Sequence, residues 1–483
     1  MKVLTKALIK ESEENAVKSG AFSFRELMLR AGRNAAEIMM QKYDYRGKKI
    51  TVVCGKGNNG GDGCVIAAIL SEYGADVTVV TPFGAPVTEN ASYYYNALKF
   101  TKKSDILGDE SPDMIIDALF GIGLDRELDQ KTVKLIDKIN SFDSIRISVD
   151  IPSGVEADSG RVLGAAVEAD MTVTFIALKP CFMLPEGSDY CGDTVVSDIG
   201  VEPTRYSYLT IEKPVFPKRK HNSHKGTFGT ALMFCGSYGM AGAAILSARA
   251  ALRTGVGILK AVLCDGIYTA FTSSVPEAVC VPVPQNERGT LSPNNMDISS
   301  LLSYSSAVLV GCGLGNNEDT ARLTKQIIEK SEVPIVIDAD GINSICGSID
   351  IIKKSKAPVI LTPHPGEMAR LCSLAVAEVE SNRVETARNF AVKYGCVLIL
   401  KGADTIVAEP SGEVFFNLGG NPGMSTGGSG DLLSGMTVSL LAQGFSPGQA
   451  AKAAVYLHSL AGDKAAKKRG ERAMLPSDMI EEL

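Results

Sequence analysis

The stretch Ile50-Thr-Val-Val-Cys-Gly-Lys-Gly-Asn-Asn-Gly-Gly-Asp-Gly63 decides how the first half of the chain folds. Residues 50–54 are rich in β-branched side chains and predict a buried strand. A glycine-rich loop follows, and residues 64–73 predict a helix directly after it. Backbone amides without side-chain bulk, next to a helix start, can converge on a phosphate. The stretch therefore predicts a strand, an anion-binding turn and a helix.

Strands and helices alternate around this stretch. The other predicted strands of the region are residues 76–81, 114–119 and 146–149, and the predicted helices are residues 90–98 and an amphipathic helix with apolar positions between 24 and 39. Such alternation with hydrophobic strands indicates a parallel sheet that helices cover on both faces. We therefore expect a three-layer, Rossmann-like α/β domain whose ligands bind at the carboxyl ends of the strands.

A second alternation occupies the C-terminal half. Its predicted strands are residues 230–234, 258–263, 307–310, 335–337, 359–361 and 397–400, its predicted helices are residues 241–254, 319–330, 381–394, 431–442 and 448–467, and a hairpin is predicted through residues 405–416. Prolines and the basic cluster Lys218-Arg-Lys-His221 interrupt the periodicity between the two halves. We expect two three-layer α/β domains, residues 1–211 and residues 212–483.

Composition excludes several classes of protein. The 483 residues are 45% hydrophobic and 22% charged, as in soluble globular proteins. A net charge of -6 argues against a general nucleic-acid binder. No run approaches the ~20 apolar residues of a membrane span, so we expect a cytoplasmic protein without a membrane partner. The 11 cysteines contain no C-x-x-C pair and are expected to be reduced and buried, and the four histidines are not spaced for a zinc site.

Three acidic positions are expected near the first glycine loop. Asp117 and Asp150 each follow a predicted strand, which places them at the same sheet edge as Asp62. A single strand-end aspartate is more often a cap or turn residue. Three carboxylates around one pocket, however, can bind a cation or move a proton. Asn59 together with Asp117 could hold a monovalent cation through oxygen atoms.

These motifs resemble the NAD(P)H-hydrate epimerase domain over roughly residues 1–210. The motifs are Gly57-Asn-Asn-Gly-Gly-Asp-Gly63, Asp117-Ala-Leu-Phe-Gly-Ile-Gly-Leu-Asp-Arg126 and Val149-Asp-Ile-Pro-Ser-Gly154. The resemblance implies equilibration of the R and S forms at C6 of hydrated NADH or NADPH, with Asp150 as the candidate proton carrier. The residues that it implies as contacts of the hydrated dinucleotide are Asn58, Asn59, Gly60, Gly61, Asp62, Gly121, Ile122, Gly123, Leu124, Asp125, Arg126, Glu127 and Asp150. The implied ligands of a potassium ion (K+) are Asn59, Asp117 and Ser153.

The second glycine loop is Gly419-Gly-Asn-Pro-Gly-Met-Ser-Thr-Gly-Gly-Ser-Gly-Asp431, and it ends where a helix is predicted to begin. Amides that face a phosphate, with Asp431 facing an acceptor hydroxyl, form a layout for phosphoryl transfer. His364 stands between two prolines at the end of a predicted strand, a rigid setting that favours a ligand contact. His458 lies among apolar residues of a predicted helix and is interpreted as a packing residue.

The second half resembles the NAD(P)H-hydrate dehydratase family of the ribokinase-like fold, over roughly residues 220–483. The motifs that carry the resemblance are Lys225-Gly-Thr-Phe-Gly229, Gly236-Ser-Tyr-Gly-Met-Ala-Gly-Ala243, Gly311-Cys-Gly-Leu-Gly315, Thr362-Pro-His-Pro-Gly-Glu367 and Lys401-Gly-Ala-Asp-Thr405. Two positions depart from the family pattern, because Ala241 and Cys312 stand where proline is common.

The resemblance implies that ADP, bound with magnesium (Mg2+), phosphorylates the ring hydroxyl of the S form, after which phosphate leaves and restores the nicotinamide double bond. The implied nucleotide contacts are Lys401, Gly402, Ala403, Asp404, Thr405 and Gly430, and the implied hydrate contacts are Ala243, Gly313, His364 and Asp431. ADP would become AMP and phosphate. The choice of ADP over ATP rests on the resemblance to bifunctional bacterial forms, since both nucleotides share the diphosphate.

The leading hypothesis is therefore a bifunctional repair enzyme, an isomerase joined to a lyase, with small-molecule substrates and an expected homo-oligomeric state. One alternative is a small-molecule kinase of the vitamin or sugar type with an N-terminal nucleotide-binding module, which would release a phosphorylated product. A third hypothesis makes the first domain a non-catalytic module that responds to dinucleotides. The presence of both Asp117 and Asp150 weighs against that third hypothesis.

Overall fold

A computed structural model describes residues 1–483, apart from the side chain of Asn295. The chain divides into two compact units, Met1–Leu209 and Thr210–Leu483, which are called the first and second domains below. This division falls two residues before the boundary that the sequence analysis places after residue 211. Among the described residues, no helix is long and apolar enough to cross a membrane.

The first domain alternates strands and helices for most of its length. Its strands are β1 (Lys2–Val3), β2 (Lys49–Cys54), β3 (Asp76–Val80), β4 (Lys102–Ser104), β5 (Met114–Ala118), β6 (Ile145–Val149), β7 (Met171–Phe175), β8 (Asp193–Ser197) and β9 (Tyr208–Thr210), the last of which ends one residue beyond the domain. Its helices are α1 (Lys6–Lys18), α2 (Phe24–Lys42), α3 (Asn58–Glu72), α4 (Glu89–Ala97), α5 (Gln130–Ser141) and α6 (Gly187–Tyr190). Strand β1 pairs antiparallel with β9.

The main sheet of the first domain has the strand order β4-β3-β2-β5-β6-β7-β8, and each neighbouring pair is parallel. The chain moves outward from β2 to β3 and β4, and then returns to β5 on the other side of β2. In a parallel sheet this reversal opens a crevice at the carboxyl ends of the two central strands. The loops that follow β2 and β5 therefore line a natural binding site.

Alternate residues of β5 pack on opposite faces of this sheet. Ile116 belongs to a buried cluster with Ala35 of α2 and Ile66 of α3. Its neighbour Ile115 belongs to a separate buried cluster with Ile139 of α5. Since successive side chains of a strand point to opposite faces, the two clusters are the two helix-to-sheet cores. The predicted three-layer, Rossmann-like architecture is confirmed.

The second domain follows the same alternation. Its strands are β10 (Thr230–Phe234), β11 (Ile258–Cys264), β12 (Val279–Val283), β13 (Ala307–Val310), β14 (Ile335–Ile337), β15 (Val359–Leu361), β16 (Val397–Leu400), β17 (Ile406–Ala408) and β18 (Val414–Phe416). Its helices are α7 (Ala241–Arg253), α8 (Tyr268–Ser274), α9 (Ile298–Ser303), α10 (Glu318–Lys330), α11 (Asp340–Ile345), α12 (Pro365–Cys372), α13 (Val376–Ser381), α14 (Arg383–Tyr394), α15 (Ser429–Ala442), α16 (Pro447–Arg469) and α17 (Pro476–Glu481).

The strands of the second domain lie in the order β18-β17-β16-β15-β14-β13-β10-β11-β12. Strands β10 to β16 are joined in parallel pairs. Strands β17 and β18 add an antiparallel edge. Strands β13 to β16 are buried along their whole length, as expected for a sheet covered on both faces. Helix α15 lies so close to α7 that a Cβ on Gly435 would overlap the carbonyl oxygen of Ser247. The predicted α/β class is confirmed for this domain too.

Several predicted elements differ from the structure. Helix α3 begins at Asn58, so residues 58–63 form its first turns and are not a loop. The predicted helix 381–394 is α14, which begins two residues later at Arg383, because Asn382 at φ -142° separates it from the preceding helix α13. Helix α15 begins at Ser429, two residues earlier than predicted. The elements that the sequence analysis did not predict include α1, β7, β8 and β12. The cysteines are free, but Cys280, Cys346 and Cys372 are only partly buried, so the expectation of burial is wrong for these three.

Candidate functional sites

The first candidate site is a cleft of about 980 Å³ in the first domain, at the carboxyl ends of β2, β5, β6 and β7. The predicted site residues that line it are Asn58, Asn59, Asp62, Gly121, Ile122, Gly123, Leu124, Asp125, Arg126, Glu127 and Asp150. Four other predicted residues, Gly60, Gly61, Asp117 and Ser153, are buried next to the cleft and do not line it. Helix α1, which the sequence analysis did not predict, contributes a further wall through Ile9, Lys10, Glu13 and Glu14.

Gly60 and Gly61 are needed for close packing at the start of α3. A Cβ on Gly60 would overlap the carbonyl oxygen of Gly55, and a Cβ on Gly61 would lie 2.6 Å from Met28 Sδ. The absence of side chains lets α3 start directly against the strand end and against α2. The structure therefore places these two glycines in the packing beneath the cleft, and their contact with the ligand stays a prediction.

Asp117 lies inside β5 rather than after it, and its side chain is fully buried. Its carboxylate accepts hydrogen bonds from Ser153 Oγ at 2.6 Å, Ser153 N at 2.8 Å, Ser148 Oγ at 2.9 Å and Leu119 N at 3.2 Å. Burial raises the pKa of Asp117, and the bonds from Ser153 oppose that rise. The expectation of a strand-end carboxylate facing the pocket is thus corrected, because Asp117 fixes the loop that carries Ser153.

Asn59 meets the requirement for a cation ligand. Its side chain is buried, and both the amide nitrogen and the amide oxygen lack a hydrogen-bond partner among the described residues. An unpaired buried polar group is costly unless something binds it. Asp117 and Ser153 are buried oxygen donors, and oxygen atoms are the ligands that hard cations prefer. The donor set therefore fits K+, with Asn59 supplying the oxygen that the protein leaves unsatisfied.

Asp150 is held by a lysine that the sequence analysis missed. Lys179 is fully buried, and its ammonium donates to Asp150 Oδ1 at 2.7 Å, Thr174 Oγ1 at 2.6 Å and the carbonyl oxygen of Phe175 at 3.0 Å. The other carboxylate oxygen, Asp150 Oδ2, accepts the amide of Ile122 at 3.2 Å. Asp150 also adopts a left-handed backbone with φ 72°, a strained conformation that clusters at functional sites.

Two other acids of this cleft, Glu13 and Asp62, have a raised pKa. The pKa of Glu13 is raised to about 7, first by desolvation and then by the charge of Asp150. The pKa of Asp62 is also raised well above its ordinary value, by desolvation and by the charges of Asp150 and Glu13. Glu13 was not predicted as a site residue, because α1 itself was not predicted. Among the acids of the cleft, Asp150 is therefore paired with a lysine, whereas Glu13 and Asp62 resist ionisation.

The second candidate site is a cleft of about 750 Å³ in the second domain. It is lined by each predicted nucleotide contact, namely Lys401, Gly402, Ala403, Asp404, Thr405 and Gly430, and by His364. Residues 417–422 and 424–427, most of them in the glycine-rich segment, form another wall ahead of α15. The N-terminus of α15 thus faces the same cleft as the loop after β16, which suits an anionic ligand.

Lys401 lies at the centre of the charged groups. Its Nζ atom is 2.9 Å from Asp338 Oδ1 and 4.0 Å from Glu367 Oε2, and a Cβ on Gly430 would lie 3.2 Å from it. Burial lowers the pKa of Lys401, but Asp338 and Glu367 outweigh burial and raise it overall. Burial likewise opposes ionisation of Asp338, yet Lys401 keeps the pKa of Asp338 below its ordinary value. Asp338 directly follows β14, a position of the same kind as Asp150, but the sequence analysis did not select it.

Asp431 lies beside this ion pair in the first turn of α15. Burial and the charge of Asp338 raise its pKa to about 7. Ligand atoms of Cys312, Asp338 and Asp431 all lie within 4.8 Å of one another. Cys312 keeps a protonated thiol, because its contact with Cys235 and its burial raise its pKa well above the ordinary value. The ammonium group of Lys401, 2.9 Å from Asp338, already places a positive charge beside these three residues.

The remaining predicted hydrate contacts are divided between two places. Ala243 and Gly313 are neighbours, since a Cβ on Gly313 would lie 2.8 Å from Ala243 Cβ, but neither lines the second cleft. His364 does line it, and its Nδ1 atom caps α12 by accepting the amide of Gly366 at 3.0 Å. Burial and the charge of Lys401 lower the pKa of His364. The ring is therefore fixed and uncharged at neutral pH.

His458 has a more specific place than the sequence analysis gave it. Its Nε2 atom lies 2.9 Å from the carbonyl oxygen of Ser429 and 3.2 Å from Ser429 Oγ. Desolvation lowers its pKa to about 4, so the ring is neutral and can donate to that carbonyl. The interpretation as a packing residue is incomplete, because His458 lines the second cleft and fixes the first residue of α15.

The first domain is Rossmann-like and has a cleft lined by carboxylates. The second is an α/β domain in which a glycine-rich segment leads into a helix. Together they define a two-domain nucleotide-handling protein. The sequence model of the NAD(P)H-hydrate dehydratase family matches residues 231–483, and that of the YjeF-related protein N-terminus matches residues 25–181. The chain is 36% identical to the bifunctional NAD(P)H-hydrate repair enzyme Nnr of Thermofilum pendens, covering 98% of this chain and 93% of that protein. It is 34% identical to the Nnr of Escherichia coli, covering 98% of this chain and 92% of that protein.

A solved structure of the ADP/ATP-dependent NAD(P)H-hydrate dehydratase from Bacillus subtilis, co-crystallised with ATP and Mg2+, is 29% identical. It covers 55% of this chain and 91% of its own, with a TM-score of 0.48. The near full-length relatives at more than 30% identity establish that the chain belongs to the family of bifunctional NAD(P)H-hydrate repair enzymes.

Proposed function

We propose that the chain repairs hydrated NADH and NADPH in two steps. The first domain interconverts the R and S forms at C6, and the second domain dehydrates the S form with conversion of ADP to AMP and phosphate. The observation that best supports this proposal is the pair of separate clefts in one chain of this family, each with its own lysine and aspartates. Epimerisation and dehydration belong together because the second step consumes one epimer only.

In the first domain, Asp150 is the proposed proton carrier. Lys179 at 2.7 Å stabilises its ionised form, and Ile122 N orients the other carboxylate oxygen. A carboxylate fixed in this way can take a proton from water or from the hydroxyl at C6 of the ring. The loop residues 121–127 line the same cleft and would contact the dinucleotide.

Asn59, Asp117 and Ser153 would hold K+ at the base of this cleft. When bound, K+ would supply positive charge for the substrate phosphates or ring and would fix the start of α3. The side chain of Asn59 supports this assignment, because its buried oxygen and nitrogen lack a partner among the described residues. Asp117 stays fixed in either case, since four hydrogen bonds from the protein hold its carboxylate.

In the second domain, Lys401, the loop residues 402–405 and the amide of Gly430 would bind the diphosphate of ADP. Asp431 would take the proton of the C6 hydroxyl while that oxygen attacks the terminal phosphorus and AMP leaves. The C6–O bond then breaks, phosphate departs, and loss of a proton from C5 restores the ring double bond. Mg2+ would arrive with the nucleotide and would neutralise the negative charge of the transferred phosphoryl group, with Asp404 as the carboxylate that lines the cleft.

A kinase of the vitamin or sugar type is the second candidate function, because the second domain has the layout of a phosphoryl-transfer site. The two functions differ in their products. A kinase leaves the phosphorylated molecule as product, whereas the repair reaction releases inorganic phosphate and restores reduced nicotinamide. Family membership of the whole chain favours repair.

Recovery of reduced-nicotinamide absorbance tests the proposal. The purified protein is mixed with equal amounts of R and S NADH hydrate, Mg2+ and K+, with ADP in one cuvette and ATP in another. Rapid and complete recovery with ADP is expected, and the Asp150→Ala variant should recover only the S half rapidly. Recovery of only the S half by the unaltered protein would contradict the proposed epimerase function of the first domain. Absence of recovery with either nucleotide would favour the kinase.

A further inference from the structure

Helix α1 forms one wall of the first cleft and is attached to the rest of the domain. Its residue Ile9 is buried in a small cluster with Leu4 and Ala177. The amide of Leu4 donates to the carbonyl oxygen of Leu178 at 2.9 Å, and the amide of Lys6 donates to Asp158 Oδ1 at 2.8 Å. The helix is therefore attached to the segment that immediately precedes the buried Lys179.

Glu13 is carried into the cleft by this attachment. It lies one helical turn after the buried Ile9, and residues four apart share a helix face. Both Ile9 and Glu13 line the same cleft as Asp150 and Lys179. The anchored face of α1 thus places Glu13 in the cleft that holds the proposed proton carrier, although the two residues belong to different elements of the fold.

The surroundings of Glu13 differ from those of Asp150. Desolvation and the charge of Asp150 raise the pKa of Glu13 to about 7, while Lys179 and Lys10 oppose the rise. Asp62 faces the same group, since Glu13 contributes to the raised pKa of Asp62. Asp150, in contrast, has the ammonium of Lys179 at 2.7 Å. One carboxyl group paired with a lysine and a second one without such a partner, in the same cleft, is an arrangement that suits an acid and a base.

We propose that Glu13 is a second catalytic residue of epimerisation and shares one proton with Asp150 across the C6 hydroxyl of the hydrated ring. This inference rests on the proposed epimerase function. It assigns α1 a place in the chemistry and not only in the packing of the first domain.

The proposed step conserves atoms and charge. The carboxyl group of Glu13 gives its proton to the C6 hydroxyl, the C6–O bond breaks, water leaves, and the lone pair of the ring nitrogen forms a C=N bond. A water molecule then adds to the other face of C6, and the carboxylate of Asp150 takes its proton. The pair now carries its one proton on Asp150, which is the starting state for the reverse reaction.

The test uses Glu13→Gln, which keeps the size of the side chain but cannot give up a proton as a carboxyl group does. The variant is mixed with R NADH hydrate, ADP, Mg2+ and K+. An excess of the Asp150→Ala chain is added, which dehydrates the S form but does not epimerise, so that dehydration is not rate-limiting. Loss of the acid should slow conversion of the R form by about 10²-fold or more. The rate of the unaltered protein should fall as the pH rises through about 7, where Glu13 loses its proton, and the variant should lack this fall.

Glu11→Gln is the matched control, because Glu11 lies on the same helix, does not line the cleft and pairs with the exposed Arg205 at 3.5 Å. It should epimerise at the unaltered rate. Glu13→Asp should restore part of the rate and the fall above pH 7, which a purely structural role of Glu13 would not produce. An unchanged rate and pH profile in Glu13→Gln would overturn the inference. If the unaltered protein itself fails to convert the R form, the proposed epimerase function fails instead.

Discussion

The two clefts use the same kind of ion pair in different ways. In the first cleft the buried Lys179 binds Asp150, the proposed catalytic carboxylate, at 2.7 Å. In the second cleft Lys401 binds Asp338 at 2.9 Å, and the proposed catalytic Asp431 is left beside Asp338 with a pKa raised to about 7. A lysine can therefore stabilise the charge on a catalytic carboxylate, or it can stabilise a neighbouring charge that makes the catalytic carboxylate more basic.

Asp431→Asn should give the largest effect, because it removes the proposed base, which lies in the first turn of α15 next to the second cleft. We expect dehydration of the S form to fall by about 10² to 10⁴-fold, while ADP still binds. Phosphate release and absorbance recovery measure the loss, and equilibrium dialysis with ADP measures binding. Asp350→Asn, at an exposed position with a partner in Lys353 at 2.9 Å, is the matched control and should keep full activity.

Asp431→Asn should also stabilise the nucleotide-free protein against unfolding at alkaline pH. The folded-state pKa of Asp431, about 7, lies above its ordinary value of 3.8, so ionisation costs folded stability as the pH rises from about 4 to 7. The amide avoids this cost, and Asp431→Asn should melt at a higher temperature than the unaltered chain at pH 8 but not at pH 4. Normal dehydration in this variant, or a lower melting temperature at pH 8, would contradict the contrast between the two aspartates.

Lys179→Gln should give the next largest effect, this time in the first cleft. Removing one partner of a buried ion pair costs roughly 3–5 kcal/mol, because it leaves Asp150 with an uncompensated charge. The first domain should melt roughly 10 °C lower, and epimerisation should fall while dehydration of the S form continues. Calorimetry and the two-phase absorbance recovery measure both effects.

Lys102→Gln provides the comparison for Lys179→Gln. Lys102 pairs with Asp76 at 2.7 Å in the same domain, but both side chains are largely exposed. Such surface pairs contribute about 0–1 kcal/mol, so this variant should melt close to the unaltered chain and keep its activity. Equal destabilisation by the two variants would show that Lys179 does not carry the charge balance of the cleft.

Sequence patterns predicted the architecture and the glycine-rich motifs well, because these depend on local apolar periodicity. They failed where a charged residue acts through distant partners. Lys179 is the single charge in the apolar run at residues 175–184, which was a usable signal, but its three partners come together only after β7 is placed. Glu13 offered no local signal at all, since it reaches the cleft only because Ile9 and Leu4 attach α1 to the domain.

Asn59→Ala should give the smallest effect on stability, and it tests the cation site that distinguishes the first cleft from the second. Because its buried amide lacks a partner among the described residues, truncation loses no hydrogen bond within the protein. Without K+ the variant should therefore melt close to the unaltered chain. Added K+ should raise the melting temperature of the unaltered chain but not of Asn59→Ala, and it should stimulate epimerisation only in the former.

Asn140→Ala is the control for this last comparison. The side chain of Asn140 donates to the carbonyl oxygen of Ala166 at 2.9 Å and accepts the amide of Glu168 at 2.9 Å, so truncation removes two hydrogen bonds worth about 1 kcal/mol each. Asn140→Ala should melt lower than Asn59→Ala without K+, yet it should keep the full response to K+. If Asn59→Ala responds to K+ as the unaltered chain does, the ion binds elsewhere. The side-chain amide of Asn59 would then be a contact for the dinucleotide itself.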